Sequence, residues 1–299
     1  IGSHLCRGLL EMGYNVKILD NLSSGKFDNI QDVADRIEFI QGDIRDENAL
    51  FHAMVGVEYV FHLAAVASVQ ISFEQPILEQ QVNCVGTLQV LETARNAGVQ
   101  RVIFAASAAA YGNDPCIPKC ESMAPAPASP YAVSKVVGEY YCKIYSDQHE
   151  LETICLRYFN VYGTRQDPTS PYSGVISIFV KKMLRGESPI IFGDGRQTRD
   201  FVSVGDIVAA NILALKTERA EGQIYNIGTG RSTNLIDLVQ VLNQIGQTHI
   251  KPKLAPARAG DLRASLADIS RAKTELGYEP DIGLERGLTD IVDWMSDFS

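Results

Sequence analysis

The fold is decided by the stretch that opens the chain, Ile1-Gly2-Ser3-His4-Leu5-Cys6-Arg7-Gly8-Leu9-Leu10-Glu11-Met12-Gly13-Tyr14-Asn15-Val16-Lys17-Ile18-Leu19-Asp20. Its apolar residues recur at the spacing of one helical face, at Leu5, Leu9, Leu10 and Met12. Gly13 then ends the helix, and a β-rich run follows that closes on the acid Asp20. A helix followed by a buried strand with a terminal acid is typical of a nucleotide-binding βαβ unit.

Asp20 predicts which dinucleotide the unit binds. An acid about 20 residues past a Gly-rich turn holds the adenosine ribose hydroxyls, and it repels a 2′-phosphate. We therefore expect NAD rather than NADP as the cofactor. The alternative is that Asp20 only ends a strand in a turn.

The unit also needs a first strand and two further glycines ahead of Gly2, which can only be the last glycine of the fingerprint. That strand is central in doubly wound folds, so its absence would leave buried backbone groups unpaired. We expect roughly 10 further residues ahead of Ile1 that form a strand and a Gly-rich turn.

Strands and helices alternate along the first half of the chain. Strands are predicted over 36–43, 59–64 and 101–106, and helices over 47–55 and 76–97. The later part is irregular, with a polar loop over 164–174, helices over 175–185 and 233–245, and a short strand over 225–228. This pattern predicts an α/β fold with a doubly wound, Rossmann-like parallel sheet and a smaller α/β substrate-binding region. We expect the NAD-binding domain over 1–162 and about 196–228, and the second region over about 163–195 and 229–299.

Ser129-Pro130-Tyr131-Ala132-Val133-Ser134-Lys135 supplies a candidate base. Ser129 suits a helix N-cap and Pro130 the first helical position, so Tyr131 and Lys135 share one helical face. A neighbouring ammonium favours phenolate, so we expect Lys135 to lower the Tyr131 pKa below its usual value of about 10. A solvated pair on an exposed face is the alternative interpretation.

Further motifs follow in a fixed order, and together they are specific. They are Ile1–Leu5, Asp20–Gly25, Gly42–Asp46, His62–Ala65, Ser107–Gly112, the Tyr131/Lys135 pair, Arg157–Gly163, Gly193–Gly195 and Arg199–Phe201. In this order the chain resembles the extended short-chain dehydrogenase/reductases over Ile1 to about Gly277. Among these it is most similar to the nucleotide-sugar epimerase/dehydratase branch, and within that to UDP-hexose 4-epimerases.

The resemblance implies a set of cofactor-binding residues. They are Gly2, Asp20, Asn21, Ser24, Gly25, Asp43, Ile44, Leu63, Ala64, Ala65, Asn83, Tyr131 and Lys135. Within this set Asp43 and Ile44 are expected beside adenine, Lys135 on the nicotinamide ribose, and Asn83 as a holder of local geometry. The small apolar residues have plain core packing as their alternative. We interpret His62 as a hydrogen-bonded strand histidine with no role in proton transfer.

The resemblance also implies that Ser107, Tyr131 and Lys135 are catalytic. Ser107 would hydrogen-bond the 4-hydroxyl of the sugar and help to pass its proton to Tyr131. Related 4,6-dehydratases carry an Asp-Glu pair where this chain has Ala108 and Ala109, and UDP-glucuronate decarboxylases carry a Glu at the Ala109 position. Alanine transfers no proton, so oxidation and re-reduction at C4 is the chemistry that remains.

The substrate side is implied in the same way. Beside Ser107, the expected contacts are Asn160, Arg199, Arg258, Asp261 and Ser265, with the arginines as phosphate partners. Surface ion pairing is the alternative for the charged members. Ser265 lies where relatives gate the sugar 2-substituent, and a small residue there is expected to admit an N-acetyl group.

Composition agrees with a soluble enzyme. The chain has 299 residues, 45% of them apolar, and a net charge of −9 that argues against nucleic acid or an anionic membrane as the main partner. Its six cysteines show neither a disulfide framework nor a zinc-site spacing, so we expect reduced thiols, no metal and a cytoplasmic location.

The expected protein is a homodimeric, NAD-dependent UDP-hexose 4-epimerase acting on UDP-glucose, and on UDP-N-acetylglucosamine, through a transient 4-keto sugar. The alternatives are a nucleotide-sugar reductase or dehydrogenase with net redox, and a non-catalytic NAD-binding regulator.

Overall fold

The fold begins with the helix and strand that the opening residues predict. A computed structural model describes residues 1–168, 174–257 and 262–297. Its helices are α1 Gly2–Glu11, α2 Glu47–Met54, α3 Val69–Glu74, α4 Pro76–Gln80, α5 Gly86–Ala97, α6 Pro130–His149, α7 Val175–Leu184, α8 Val204–Lys216, α9 Leu235–Ile245, α10 Ser270–Leu276 and α11 Leu284–Ser296. Its strands are β1 Val16–Asp20, β2 Ile37–Gln41, β3 Tyr59–His62, β4 Arg101–Ser107, β5 Glu152–Tyr158, β6 Asn160–Tyr162, β7 Ile190–Phe192, β8 Thr198–Arg199, β9 Phe201–Ser203, β10 Glu221–Ile227, β11 Thr233–Asn234 and β12 Lys253–Ala255.

Four parallel strands form the main sheet, in the order β10-β5-β4-β3. Within the described part of the chain, β1 pairs in parallel with β2 alone, and Asp20 lies opposite Gln41. The strand expected ahead of Ile1 stays a prediction.

Both faces of the main sheet are buried, and the side chains of β4 show this directly. Ile103 and Ala105 pack in one core with α1 and α8, whereas Val102, Phe104 and Ala106 pack in another with α2, α5 and α6. Strands buried on both faces under helices define a doubly wound sheet. The predicted fold class is confirmed.

The helix predicted over 76–97 is interrupted. A π-helical turn at Gln81–Val85 separates α4 from α5. At this turn the Asn83 side chain accepts a hydrogen bond from Val66 N at 2.8 Å and donates one to Val66 O at 3.1 Å. The extra residue of a π turn changes the direction of the side chains that follow it. Here the Asn83 side chain is bonded to the loop that follows β3.

The later region has its own apolar core, formed by α7, α9 and α11. Phe179, Leu238 and Ile291 lie at its centre, each no more than 2% exposed. The helix predicted over 233–245 starts later than expected, because Thr233 and Asn234 first pair with β8. Asn234 then caps α9 by accepting from Asp237 N at 2.8 Å. None of the helices in the described ranges is long and apolar enough to cross a membrane.

Candidate active site

The first turn of α6 presents Tyr131 and Lys135 as the sequence predicts. Ser129 caps the helix by accepting from Ala132 N at 3.1 Å, and Pro130 takes the first helical position. The Lys135 ammonium lies 5.9 Å from the centroid of the Tyr131 ring. It donates a hydrogen bond to Ala105 O at 2.8 Å, which ties the helix to β4.

Ser107 reaches the same place from the carboxyl end of β4. Its Oγ accepts from Ala109 N at 3.2 Å and so caps the short 3₁₀ turn Ala108–Tyr111. The Tyr131 phenol lies close enough to the Ser107 hydroxyl for that group to lower its pKa. Both side chains line a cavity of about 300 Å³ together with Asn160 and Gln166. The structure therefore brings together one hydroxyl, one phenol and one amide that the sequence analysis selected.

Burial controls the ionisation of this pair. Burial raises the pKa of Tyr131, the nearby Glu79 charge raises it further, and the Ser107 hydroxyl opposes both. The Tyr131 pKa thus lies above its usual value in this structure, because the desolvation of the phenol dominates. The Lys135 ammonium lies against Ala105 O, and the prediction that it lowers the Tyr131 pKa stays a prediction. Burial also lowers the pKa of Lys135 to about 8, against the opposing charges of Glu79 and Glu139.

A second group of predicted residues meets at the carboxyl ends of β1 and β2. Asp20 accepts from Leu22 N at 2.7 Å, and Asn21 donates to Asp43 at 2.9 Å. The Arg45 guanidinium beside Asp43 holds the pKa of that carboxyl well below its usual range. A Cβ on Gly25 would come within 3.2 Å of the Asp20 carboxylate, so only a small residue leaves this acid accessible. Ser24 is exposed on the same loop.

These residues fit a dinucleotide. A ribose diol requires an acceptor with small neighbours, and Asp20 beside Gly25 provides one. Among the described residues no side chain caps α1, so the N–H groups that start at Gly2 can receive a diphosphate. A Cβ on Gly2 would lie 3.7 Å from Leu63 Cδ1, which places this turn next to the end of β3.

The remaining predicted cofactor residues take different positions. Ala64 is exposed and Ala65 half-buried just after β3, whereas Leu63 packs partly against the core. Ile44 is 8% exposed and belongs to the core beneath α5. Asn83 holds the loop after β3, as expected of a geometric role. His62 is buried and hydrogen-bonds Thr87 Oγ1 at 2.9 Å, in agreement with our structural interpretation.

The substrate-side predictions are only partly brought together. Asn160 is exposed and lines the cavity. Arg199 directs its guanidinium to the carbonyls of Thr198 and Leu262, at 2.8 and 2.7 Å, and Ser265 is buried with its N–H on Thr198 O at 3.0 Å. Neither Arg199 nor Ser265 lines the cavity. Arg258 and Asp261 lie outside the described residues.

Sequence reasoning missed Glu79, a carboxyl group with no solvent exposure on α4. Glu79, Asn83 and Thr87 are four residues apart and all buried. A polar row at this spacing on an otherwise apolar helix is a signal that could have identified it.

The chain is similar in sequence and structure to proteins of known family. The model of the "NAD dependent epimerase/dehydratase family" matches residues 1–228. A putative UDP-glucose 4-epimerase of Methanocaldococcus jannaschii is 42% identical over 302 residues, covering 99% of this chain and 95% of that protein.

Two solved structures superpose over nearly the whole chain. The UDP-glucose 4-epimerase of Thermotoga maritima with UDP-glucose has a TM-score of 0.94 and 40% identity, covering 99% of this chain and 96% of that one. The UDP-N-acetylglucosamine 4-epimerase of Methanobrevibacter ruminantium M1 in complex with UDP-N-acetylmuramic acid has a TM-score of 0.96 and 37% identity, covering 100% and 95%. By its motifs, its site and these likenesses, the chain belongs to the NAD dependent epimerase/dehydratase family.

Proposed function

We propose that this protein catalyses the NAD-dependent 4-epimerisation of a UDP-hexose through a transient 4-keto sugar. The observation that carries the proposal is the convergence of Ser107, Tyr131 and Lys135 at the carboxyl ends of the strands, with Ala108 and Ala109 next in the chain. The site thus holds groups for oxidation at one carbon and lacks, at those two positions, the acid and base that elimination would use.

Each side chain has a separate task in this reaction. Tyr131 takes the proton of the sugar 4-hydroxyl, and Ser107, which lines the same cavity, orients that hydroxyl. Bound NAD supplies the hydride acceptor at C4. Lys135 is anchored on Ala105 O and holds a positive charge beside the Tyr131 ring. Return of that hydride to either face of C4, together with return of the proton by Tyr131, would complete either stereoisomer.

Cofactor and substrate are assigned to opposite ends of the site. The cofactor is assigned to Asp20, Asp43 and Gly2 near the ends of β1, β2 and β3, and to Lys135 on α6. Asn160, Arg199, Arg258, Asp261 and Ser265 are assigned to the sugar nucleotide. We propose an NAD-binding domain over 1–162 and about 196–228, and a nucleotide-sugar region over about 163–195 and 229–299. Asn160 and Arg199 would reach the sugar nucleotide from the NAD-binding domain. The separate core of α7, α9 and α11 supports the second region.

We also propose that the protein works in the cytoplasm. All six cysteines are free thiols, and Cys6, Cys142 and Cys155 are buried as such. Unpaired cysteines are typical of proteins kept in a reducing compartment.

A homodimer is proposed from the apolar surface that α4 to α6 leave exposed. Ile77, Val85, Tyr140 and Ile144 are 72%, 52%, 59% and 49% exposed, and α4 and α5 both pack beside α6. Large exposed apolar patches mark association sites, and a two-fold axis would set the same rows of two copies against each other. The occupant we propose is a second copy of this chain.

The substrate range is proposed to include N-acetylated sugars, because Ser265 is small. A Ser265→Tyr variant should lose activity on UDP-N-acetylglucosamine while retaining activity on UDP-glucose, since steric exclusion selects against the larger 2-substituent. Turnover of each sugar by the variant and the wild type measures this. Equal loss of both activities would place the selection elsewhere.

The function is tested by incubating the protein with UDP-glucose and UDP-N-acetylglucosamine separately and resolving the products. We expect the 4-epimer of each sugar to form while the absorbance of the bound cofactor is the same before and after. Net formation of NADH in step with product would instead support a dehydrogenase. Cofactor binding without any product would support a regulator.

A further inference from the structure

Glu79 on α4 is a fully buried carboxyl group, bonded to α6, that the proposed mechanism leaves unused. Three neutral donors converge on its carboxylate. Ser134 Oγ donates to Oε1 at 2.6 Å, Asn83 Nδ2 donates to the same oxygen, and Gln80 Nε2 donates to Oε2 at 2.6 Å. Because all three partners donate, the Glu79 side chain acts only as an acceptor, and an ionised carboxylate is the form that only accepts.

The donors connect Glu79 to the first turn of α6. Ser134 Oγ also lies 2.9 Å from Tyr131 O, and Gln80 Nε2 donates to Pro130 O at 3.1 Å. Asn83, which lies 3.3 Å from Ser134 Oγ, continues the network to Val66 on the loop after β3. The turn that carries the base is therefore fastened to α4 and to the cofactor side of the site.

We propose that Glu79 is a positioning residue for the reaction, whose carboxylate fixes the first turn of α6 and keeps a negative charge near the Lys135 ammonium. Burial of a charge is costly unless donors and an opposite charge compensate it, and this site provides both. The inference rests on the proposed function for its kinetic readout, because Tyr131 and Lys135 are assigned there as the reacting base and its neighbour.

The Glu79 charge acts on two pKa values in the same direction. The Glu79 charge raises the pKa of both Lys135 and Tyr131. The other groups that face Lys135 are Glu139 and Cys142 on α6, with Arg157 of β5 paired to Glu139, and His62 of β3, which stays neutral because burial lowers its pKa to about 3. Glu79→Gln removes one negative charge from this set and leaves the rest, so both pKa values should fall.

Two variants separate positioning from charge. Glu79→Gln keeps the size of the side chain and a carbonyl oxygen for Ser134 and Asn83, but loses the charge. Ser134→Ala keeps the charge and removes the direct hydrogen bond from α6 to the Glu79 carboxylate. Glu58→Gln, at an exposed carboxyl in the turn before β3, is the matched control.

The experiment measures kcat and KM against pH for the NAD-loaded proteins, together with thermal unfolding. For Glu79→Gln we expect kcat to fall roughly 10-fold and both limbs of its pH profile to move about 0.5 to 1 pH unit towards acid, with little change in KM. Ser134→Ala should lower kcat without moving the limbs, and Glu58→Gln should match the wild type. Unmoved limbs in folded Glu79→Gln would overturn the charge role, and an unchanged kcat in Ser134→Ala would overturn the link to α6.

A second readout requires no turnover. The ultraviolet phenolate titration of each NAD-loaded protein, minus that of its Tyr131→Phe counterpart, isolates the Tyr131 ionisation. It should shift towards acid in Glu79→Gln even if the wild type fails on every UDP-sugar, in which case the proposed function fails and the placement of Glu79 stands. An unshifted Tyr131 titration contradicts the charge role whatever the substrate proves to be.

Discussion

At the scale of single residues, Tyr131 and Ser107 line one cavity of about 300 Å³, and burial raises the pKa of the Tyr131 phenol. Replacing it with phenylalanine removes the transferable proton and keeps the ring. Tyr131→Phe should therefore lower turnover at least about 100-fold, the usual scale for a positioned acid or base. Steady-state kinetics with circular dichroism as the control for folding measures this. Near-normal epimerisation by the folded variant would remove Tyr131 from the mechanism.

Burial of the Lys135 ammonium lowers the stability of the folded protein. Its pKa is lowered to about 8 in the folded protein, so below pH 8 the fold must hold an ammonium that is better solvated in the unfolded chain. Between pH 8 and the unfolded pKa of about 10.4 the unfolded chain binds more protons, so stability rises with pH and the cost disappears.

Lys135→Met should consequently be more stable than the wild type by roughly 1 to 3 kcal/mol at pH 7, while losing turnover. The difference in unfolding free energy should shrink as the pH approaches 10. Denaturant unfolding at several pH values measures it. Lys143→Met, on the exposed side of α6, is the control and should change stability little. A Lys135→Met protein that is less stable than the wild type at pH 7 would show that burial of the charge is not the dominant effect.

Sequence could predict the residue types of the site but not their environments. Tyr131, Lys135 and Ser107 were identified from spacing and order. The raised pKa of Tyr131 and the inward carboxylate of Glu79 depend on burial that only packing determines. The Arg199 guanidinium on two backbone carbonyls likewise depends on a contact with Leu262 far along the chain.

At the scale of elements, the contact between α6 and β4 determines where the base stands. Gly138 makes that contact possible, because a Cβ there would lie 2.4 Å from Phe104 Cζ and 2.7 Å from Cε1. Phe104 in turn lies under Lys135, with the ammonium 4.9 Å from its ring centroid. The spacing of helix and strand is thus coupled to the position of Lys135.

Gly138→Ala should move α6 away from β4. A helix interior gains about 1 kcal/mol from alanine over glycine, but overpacking a buried ring costs roughly 1 to 3 kcal/mol, so the net change should be destabilising. Turnover should fall with stability because Lys135 shifts too. Thermal unfolding and kinetics measure both, with Gly283→Ala as the control, since a Cβ there has nothing within 4 Å. A Gly138→Ala protein as stable and as active as the wild type would contradict the coupling.

The elements themselves were largely predictable, since apolar periodicity identifies the strands and helices of a doubly wound sheet. The π turn at Gln81–Val85 was not, because the bonds between Asn83 and Val66 that accompany it join residues 17 apart in sequence. The strand Thr233–Asn234 was missed for a similar reason, as its partner β8 lies in a distant part of the chain.

At the scale of the whole molecule, the apolar surface of α4 to α6 should hold two copies together. Ile77→Glu or Tyr140→Glu would place a charge in that contact and should shift the protein to a monomer, because a buried unpaired charge is costly. Sedimentation velocity over a range of concentrations measures the change. A wild type that is monomeric at every concentration would contradict the proposed dimer, and a variant still dimeric would place the interface elsewhere.

The whole-molecule account depends on reversible oxidation at a single carbon, and one measurement tests this directly. UDP-glucose carrying deuterium at C4 is incubated with the NAD-loaded protein in ordinary water, and the products are separated and examined by mass spectrometry and NMR. Epimerisation predicts UDP-galactose that retains deuterium at C4, in equilibrium with UDP-glucose and without net NADH. Loss of the label to solvent, accumulation of an oxidised sugar with NADH, or recovery of unchanged UDP-glucose alone would contradict the account.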